Sequence, residues 1–171
     1  DALLPCSLQS LQLSDSPIGD AGVAHLLRLV ATTASLERLT LSNMGMSHVG
    51  ARALANSICS NKARRPSSSV LSVLNLSGNP LGDKGCAAMC QVLRSTVQLS
   101  TLALNDCGIT HASVHRLALA LACTTSALHV VQLNGNDLGD TSELAAVLGA
   151  RSSTGLAIFP APVSNDAAVV H

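Results

Sequence analysis

Residues 71–86 read Leu71-Ser-Val-Leu-Asn-Leu-Ser-Gly-Asn-Pro-Leu-Gly-Asp-Lys-Gly-Cys86, and their spacing decides the fold. Leucines at 71, 74 and 76 follow Leu-x-x-Leu-x-Leu, the alternation of a short strand with one buried face. A Ser-Gly-Asn-Pro turn interrupts the run. The same lettering starts at Leu8, Leu36, Leu71, Leu99 and Leu128, with a degraded sixth copy at Leu156, at intervals of 28, 35, 28, 29 and 28 residues. Chance does not restore register after each loop, so the chain is built from repeats. Counted from each start, offset 3 is Leu11, Leu39, Leu74, Leu102 and Val131, and offset 5 is Leu13, Leu41, Leu76, Leu104 and Leu133, all inward-facing strand positions. Offset 10 is Ile18, Met46, Leu81, Ile109 and Leu138, and offset 18 is Leu26, Leu54, Met89, Leu117 and Ala146, by which point the period is helical.

Each unit is therefore a strand, a loop and a helix beginning near offset 13, and none can bury its apolar face alone. Stacking of neighbours gives an α/β solenoid: a curved parallel sheet on the concave face and helices on the convex face. Offset 12 carries Asp20, Asp83 and Asp140 in repeats one, three and five, where a carboxylate is expected to cap the helix that follows it. In repeats two and four the hydroxyls of Ser47 and Thr110 are expected to cap instead.

Repeat three resembles the Asn-type leucine-rich repeat of the ribonuclease inhibitor family, and repeat four, Leu102-Ala-Leu-Asn-Asp-Cys-Gly-Ile-Thr110, resembles its Cys-type partner. The likeness covers residues 8 to about 155 and implies a right-handed leucine-rich repeat solenoid that works by surface contact. Members of the class include activators of small GTPases, sensor segments of nucleotide-binding receptors, inhibitors, and cytoskeletal or axonemal scaffolds. The polar ladder position reads Ser16, Met44, Asn79, Cys107 and Asn136, and Met44 has no side-chain group to supply a ladder hydrogen bond. Repeat two fits after removal of an insertion within about residues 60–69, expected to loop out. The whole of 1–171 reads as one domain with a degenerate C-terminal cap from 156, where Phe159 is expected to cover the last leucine layer and Pro160 and Pro162 to stop strand addition. Leu3 and Leu4 precede a regular first repeat without a polar capping unit, so the first layer is expected to be partly open and the chain to be part of a longer one.

Composition narrows the function classes. Ten basic and ten acidic residues give no net charge, and there is one Phe with no Tyr or Trp. Nucleic-acid binding, which needs a basic footprint or aromatic platforms, is not expected. The longest apolar stretch, Leu117 to Cys123, is far too short to span a bilayer. Six cysteines without Cys-x-x-Cys spacing fit a reducing, cytoplasmic setting, with association to cytoskeleton or axoneme as the alternative.

Chemistry has little to be built from. His111 and His115 stand four apart, a metal-site spacing, but no third ligand is evident nearby in the sequence. Cys86 and Cys90 are also four apart and read as buried packing thiols. Gly78 to Lys84 lacks the spacing of a phosphate loop. Only two Glu exist in the chain, so no catalytic residue, metal, cofactor or small-molecule substrate is expected. A GTPase activator would be expected to carry an Arg in a strand-to-helix loop, and the only cation there is Lys84.

The surface expected to carry function is the outward row of the strands, where a protein partner would lie against Arg38, Val73, Asn75, Thr101, Ala103, Asn105, Val130 and Gln132. These side chains are short and mostly uncharged, which favours close approach over large anchors. Within the insertion, Arg64-Arg-Pro-Ser67 has the spacing of a basic-directed phosphorylation site at Ser67.

Overall fold

A lone strand-loop-helix unit exposes its leucines, and adding a neighbour on each side buries them. The computed structural model describes residues 8–159 apart from 34, 65–70, 96–97, 125–127 and 151–154. Its six strands, β1 (Ser10–Ser14), β2 (Arg38–Ser42), β3 (Val73–Asn75), β4 (Thr101–Ala103), β5 (Val130–Gln132) and β6 (Ala157–Phe159), pair in chain order as one parallel sheet. Helices α1 (Gly19–Thr32), α2 (His48–Arg64), α3 (Gly82–Ser95), α4 (Val114–Cys123) and α5 (Ser142–Ala150) fill the connections, with a single 3-10 turn, His111–Ser113, leading into α4. The result is an α/β leucine-rich repeat solenoid.

Leu39, Leu41, Leu74, Leu76, Leu102, Leu104, Val131 and Leu133 are buried at offsets 3 and 5, backed by Leu54, Met89 and Leu117 from the helices. Cys86, Cys90 and Cys107 are buried free thiols and pack as small apolar groups.

Two of the polar contacts that join the layers, an asparagine ladder and an aspartate clasp, come from odd-numbered repeats. Asn79 Oδ1 accepts from the buried amides of Met44 and Met46 at 2.9 and 3.0 Å, and its Nδ2 donates to the carbonyls of Leu41 and Leu76. Met44 therefore supplies no ladder bond because the next repeat serves its backbone. Asn136 does the same for repeat four, accepting from the Cys107 and Ile109 amides at 3.0 Å. The Cys107 thiol, which burial pushes up to about 11, stays protonated and donates to the carbonyls of Leu76 and Asn105.

The aspartates at offset 12 reach forward, correcting their expected role. Asp20 accepts from the Ser47 amide and hydroxyl and the Gly50 amide, and Asp83 from the Thr110 amide and hydroxyl and the Ser113 hydroxyl. Each carboxylate clasps the helix start of the next repeat, because stacking brings that start closer than its own first turn. Asp140 alone caps its own helix, accepting from the Ser142 amide at 2.9 Å. Ser47 and Thr110 also cap locally as expected, accepting from the Val49 and Ala112 amides. Asp83 is held below the ordinary carboxylate value first by the Ser113 hydroxyl, against the opposing effect of burial. At Asp20 burial raises the value, but the bonds from Ser47 and Gly50 together outweigh it.

The two ends differ from the middle of the stack. Ile18 is 42% exposed, and Leu11, Leu13 and Leu26 are half-buried, so the first layer is partly open among the described residues. In α5 the buried position is Leu144 and Ala146 is exposed, a change of helical register relative to α3 and α4. In the sixth repeat Val130 pairs with Ala157 and Val131 with Ile158, which moves its start one residue upstream of Leu156. Phe159 joins β6 and is 48% exposed, so it covers no leucine layer: its register beside Gln132 turns it outward. Pro160 and Pro162 lie outside the described residues. The insertion is helical as far as Arg64, because α2 continues through its polar first half, and the remainder with Ser67 lies outside the described residues.

Candidate functional site

Parallel pairing without register slip turns sequence offsets into spatial rows. Arg38, Val73, Thr101, Val130 and Ala157 are successive partners in one row, and Thr40, Asn75, Ala103, Gln132 and Phe159 form the next. Strands in such a sheet lie about 4.8 Å apart, so the residues expected at the interface form one contiguous patch. Asn105 borders it, just beyond the end of β4.

Val73, Thr101 and Val130 are half-buried and Arg38 is exposed at the edge of the row. Ala103, in contrast, is only 3% exposed, although its offset places it in the outward row. Its methyl lies between Asn75 and Gln132, whose longer side chains shade it. The patch therefore has a shallow floor at Ala103 with a partly apolar row along one side.

The other side is a hydrogen-bonded chain that the sequence did not reveal. The Ser77 amide donates to Asn75 Oδ1, the Asn105 amide to Ser77 Oγ, and Asn105 Nδ2 to Gln132 Oε1 at 3.2 Å. Asn105 Oδ1 in turn accepts from the backbone and side-chain nitrogens of Asn134. These amides hold one another, so the polar flank is ordered in advance and a partner meets little side-chain freedom. Amides recurring at offsets 4 and 6 were the available signal, although spacing alone does not state which amide bonds which.

The histidine pair faces a shallow groove between repeats four and five, lined by His111, Val114, His115, Gly139, Asp140, Ser142 and Glu143. His115 Nδ1 lies 3.0 Å from Glu143 Oε2, so stacking supplies a neighbouring carboxylate that is distant in sequence. No group of three or more His, Cys, Asp or Glu among the described residues is arranged to hold a metal ion. Among those residues, too, no helix is long and apolar enough to cross a membrane.

A family model described as Leucine Rich repeat matches residues 5–27 and 67–90, the segments around repeats one and three. Ribonuclease inhibitor from Sus scrofa is 34% identical over 145 residues, covering 84% of this chain and 30% of the relative. NACHT, LRR and PYD domains-containing protein 3 from Homo sapiens is 33% identical over 136 residues, covering 78% of this chain and 12% of the relative. The chain thus spans less than a third of either relative. Among solved structures, Leiomodin-1 Actin-Binding Site 2 superposes with a TM-score of 0.69 at 18% identity, covering 85% of this chain and 80% of that one, and shares the fold.

Proposed function

The chain being a leucine-rich repeat protein of the ribonuclease-inhibitor-like type, we propose that it is a nonenzymatic scaffold holding a protein partner on the concave face of its sheet. One observation carries this reading: Val73, Thr101 and Val130 form a partly apolar row beside a polar flank that is already hydrogen-bonded. Small side chains on a rigid sheet let a partner's backbone or helix come close, with little entropy lost on either flank. The partner is a protein rather than a nucleic acid, since these rows carry a single guanidinium, at Arg38, and a single aromatic ring, Phe159 at the far end. A reducing, cytoplasmic setting belongs to the same proposal: Cys107 acts as a hydrogen-bond donor and Cys86 and Cys90 as packing groups, roles suited to free thiols.

The test is capture of a protein partner by this chain, comparing wild type with Thr101→Glu and Val73→Arg on the strands and Gln91→Arg on the exposed face of α3. Strand substitutions should abolish capture by blocking close approach and burying an unpaired charge, while Gln91→Arg should leave it intact. The reverse pattern would place the partner on the convex side.

A further inference from the structure

An asparagine side chain is converted when the backbone nitrogen of the following residue attacks its carboxamide carbon, which requires that nitrogen to be free to approach. Outside the helices, the described asparagines are Asn43, Asn75, Asn79, Asn105, Asn134 and Asn136. In five of them the attack is blocked. The Met44 amide donates to Asn79 Oδ1 at 2.9 Å, the Leu76 amide to the Ala103 carbonyl at 2.9 Å, the Asp106 amide to the Asn134 carbonyl at 2.8 Å, and the Asp137 amide to the Ile109 carbonyl at 3.0 Å. Asn79 is followed by Pro80, which has no N–H.

Asn134 shares its exposure with Asn43 and differs from all five in the residue that follows it. It is exposed, and the residue after it is Gly135, at φ +71°, with no Cβ to hinder approach. At the same loop position in repeats one to four, the amides of Asp15, Asn43, Gly78 and Asp106 each donate to a carbonyl of the next repeat. The matching acceptor for the Gly135 amide would stand at position 161, outside the described residues, and among the described residues this amide donates to no backbone carbonyl. A Cβ added at Gly135 would run into Asp106 Oδ1, so a carboxylate oxygen lies against this residue.

We propose that Asn134 is a modification site, converted spontaneously to aspartyl and isoaspartyl forms. The Gly135 nitrogen forms a bond to Cγ of Asn134, the bond from Cγ to Nδ2 breaks, and ammonia leaves carrying the displaced proton, giving a cyclic imide. Water then adds across either imide carbonyl, yielding aspartate or the isoaspartyl linkage with no change of oxidation state. The product places a carboxylate where Nδ2 now donates to Asn105 Oδ1 at 3.1 Å, beside the exposed Asp106. Two acceptors then face each other, so Asn105 must turn over or the polar flank opens. The conversion stands by itself, and only its effect on partner capture rests on the concave-face reading.

The experiment incubates the folded chain in mildly alkaline buffer at body temperature and follows each asparagine by peptide mapping with tandem mass spectrometry. Asn134 should convert at least an order of magnitude faster than Asn105 and Asn136, with both product forms present, and Asn134→Gln should remove that signal. In denaturant Asn136 should gain on Asn134, because its blocking hydrogen bond is lost. Conversion at Asn134 no faster than at Asn105 and Asn136 in the folded chain would overturn the proposal. Capture of the partner should weaken in Asn134→Asp. Unchanged capture alongside rapid conversion would remove Asn134 from the interface while leaving the modification site standing.

Discussion

Repeat one and repeat three carry nearly the same lettering, yet one is an open layer and the other a closed one. In repeat three Leu74, Leu76, Leu81 and Met89 are buried, and Asn79 and Asp83 each bond to a neighbouring repeat. Repeat one keeps the forward clasp through Asp20, but Leu11, Leu13 and Leu26 are half-buried, and Ser16 at the ladder position reaches only the Ser14 carbonyl at 3.4 Å. The lettering specifies the unit; the layer is completed only by neighbours on both sides. Repeats three to five, which lie deeper in the stack, are the part of the sheet on which most of the proposed interface rests.

The largest expected effect separates these two regions directly. Leu102→Ala and Leu104→Ala should each cost about 2 to 5 kcal/mol by denaturant unfolding, since both side chains are buried in the middle of the solenoid. Leu11→Ala in the open layer should cost roughly half as much, in line with its half-burial. Equal losses at Leu11 and Leu102 would break the comparison.

Next comes the ladder. Asn79→Ala would strand the buried amides of Met44 and Met46 and two carbonyls, at a cost of about 2 to 4 kcal/mol. Ser16→Ala at the same offset should change stability by less than about 0.5 kcal/mol.

The forward clasps give a smaller effect with a pH signature. Asp83→Asn should cost about 1 to 2 kcal/mol near neutrality, as loss of a charged helix cap does. Because the Asp83 value is lowered on folding from 3.8, its contribution is present above that ordinary value and is lost as pH falls through the lowered one. Wild type should therefore lose more stability than Asp83→Asn on acidification, and the two curves should converge in acid. A gap that persists unchanged below the carboxylate range would count against the clasp.

Much of this was legible in the sequence. Interval and offset gave the repeat, the strand positions and the row of residues on the concave face, because a period held over five units leaves one stacking solution. Contacts between repeats were less legible. Asp20 and Asp83 read as caps of their own helices because sequence shows the nearest orphan amides, while stacking presents nearer ones from the next unit. The offset of Ala103 marks it as outward, but its shading by Asn75 and Gln132 depends on the neighbours' side-chain length. The His115–Glu143 contact was hidden by a separation of 28 residues.

The central claim, that the concave strip is the binding surface, is tested most directly by titrating a captured partner against wild type, Thr101→Glu and Gln91→Arg, with thermal unfolding run in parallel. Thr101→Glu should lose affinity by about tenfold or more, a change of about 1.4 kcal/mol, with a melting temperature close to wild type, and Gln91→Arg should bind as wild type does. Full affinity in Thr101→Glu together with loss in Gln91→Arg would contradict the account.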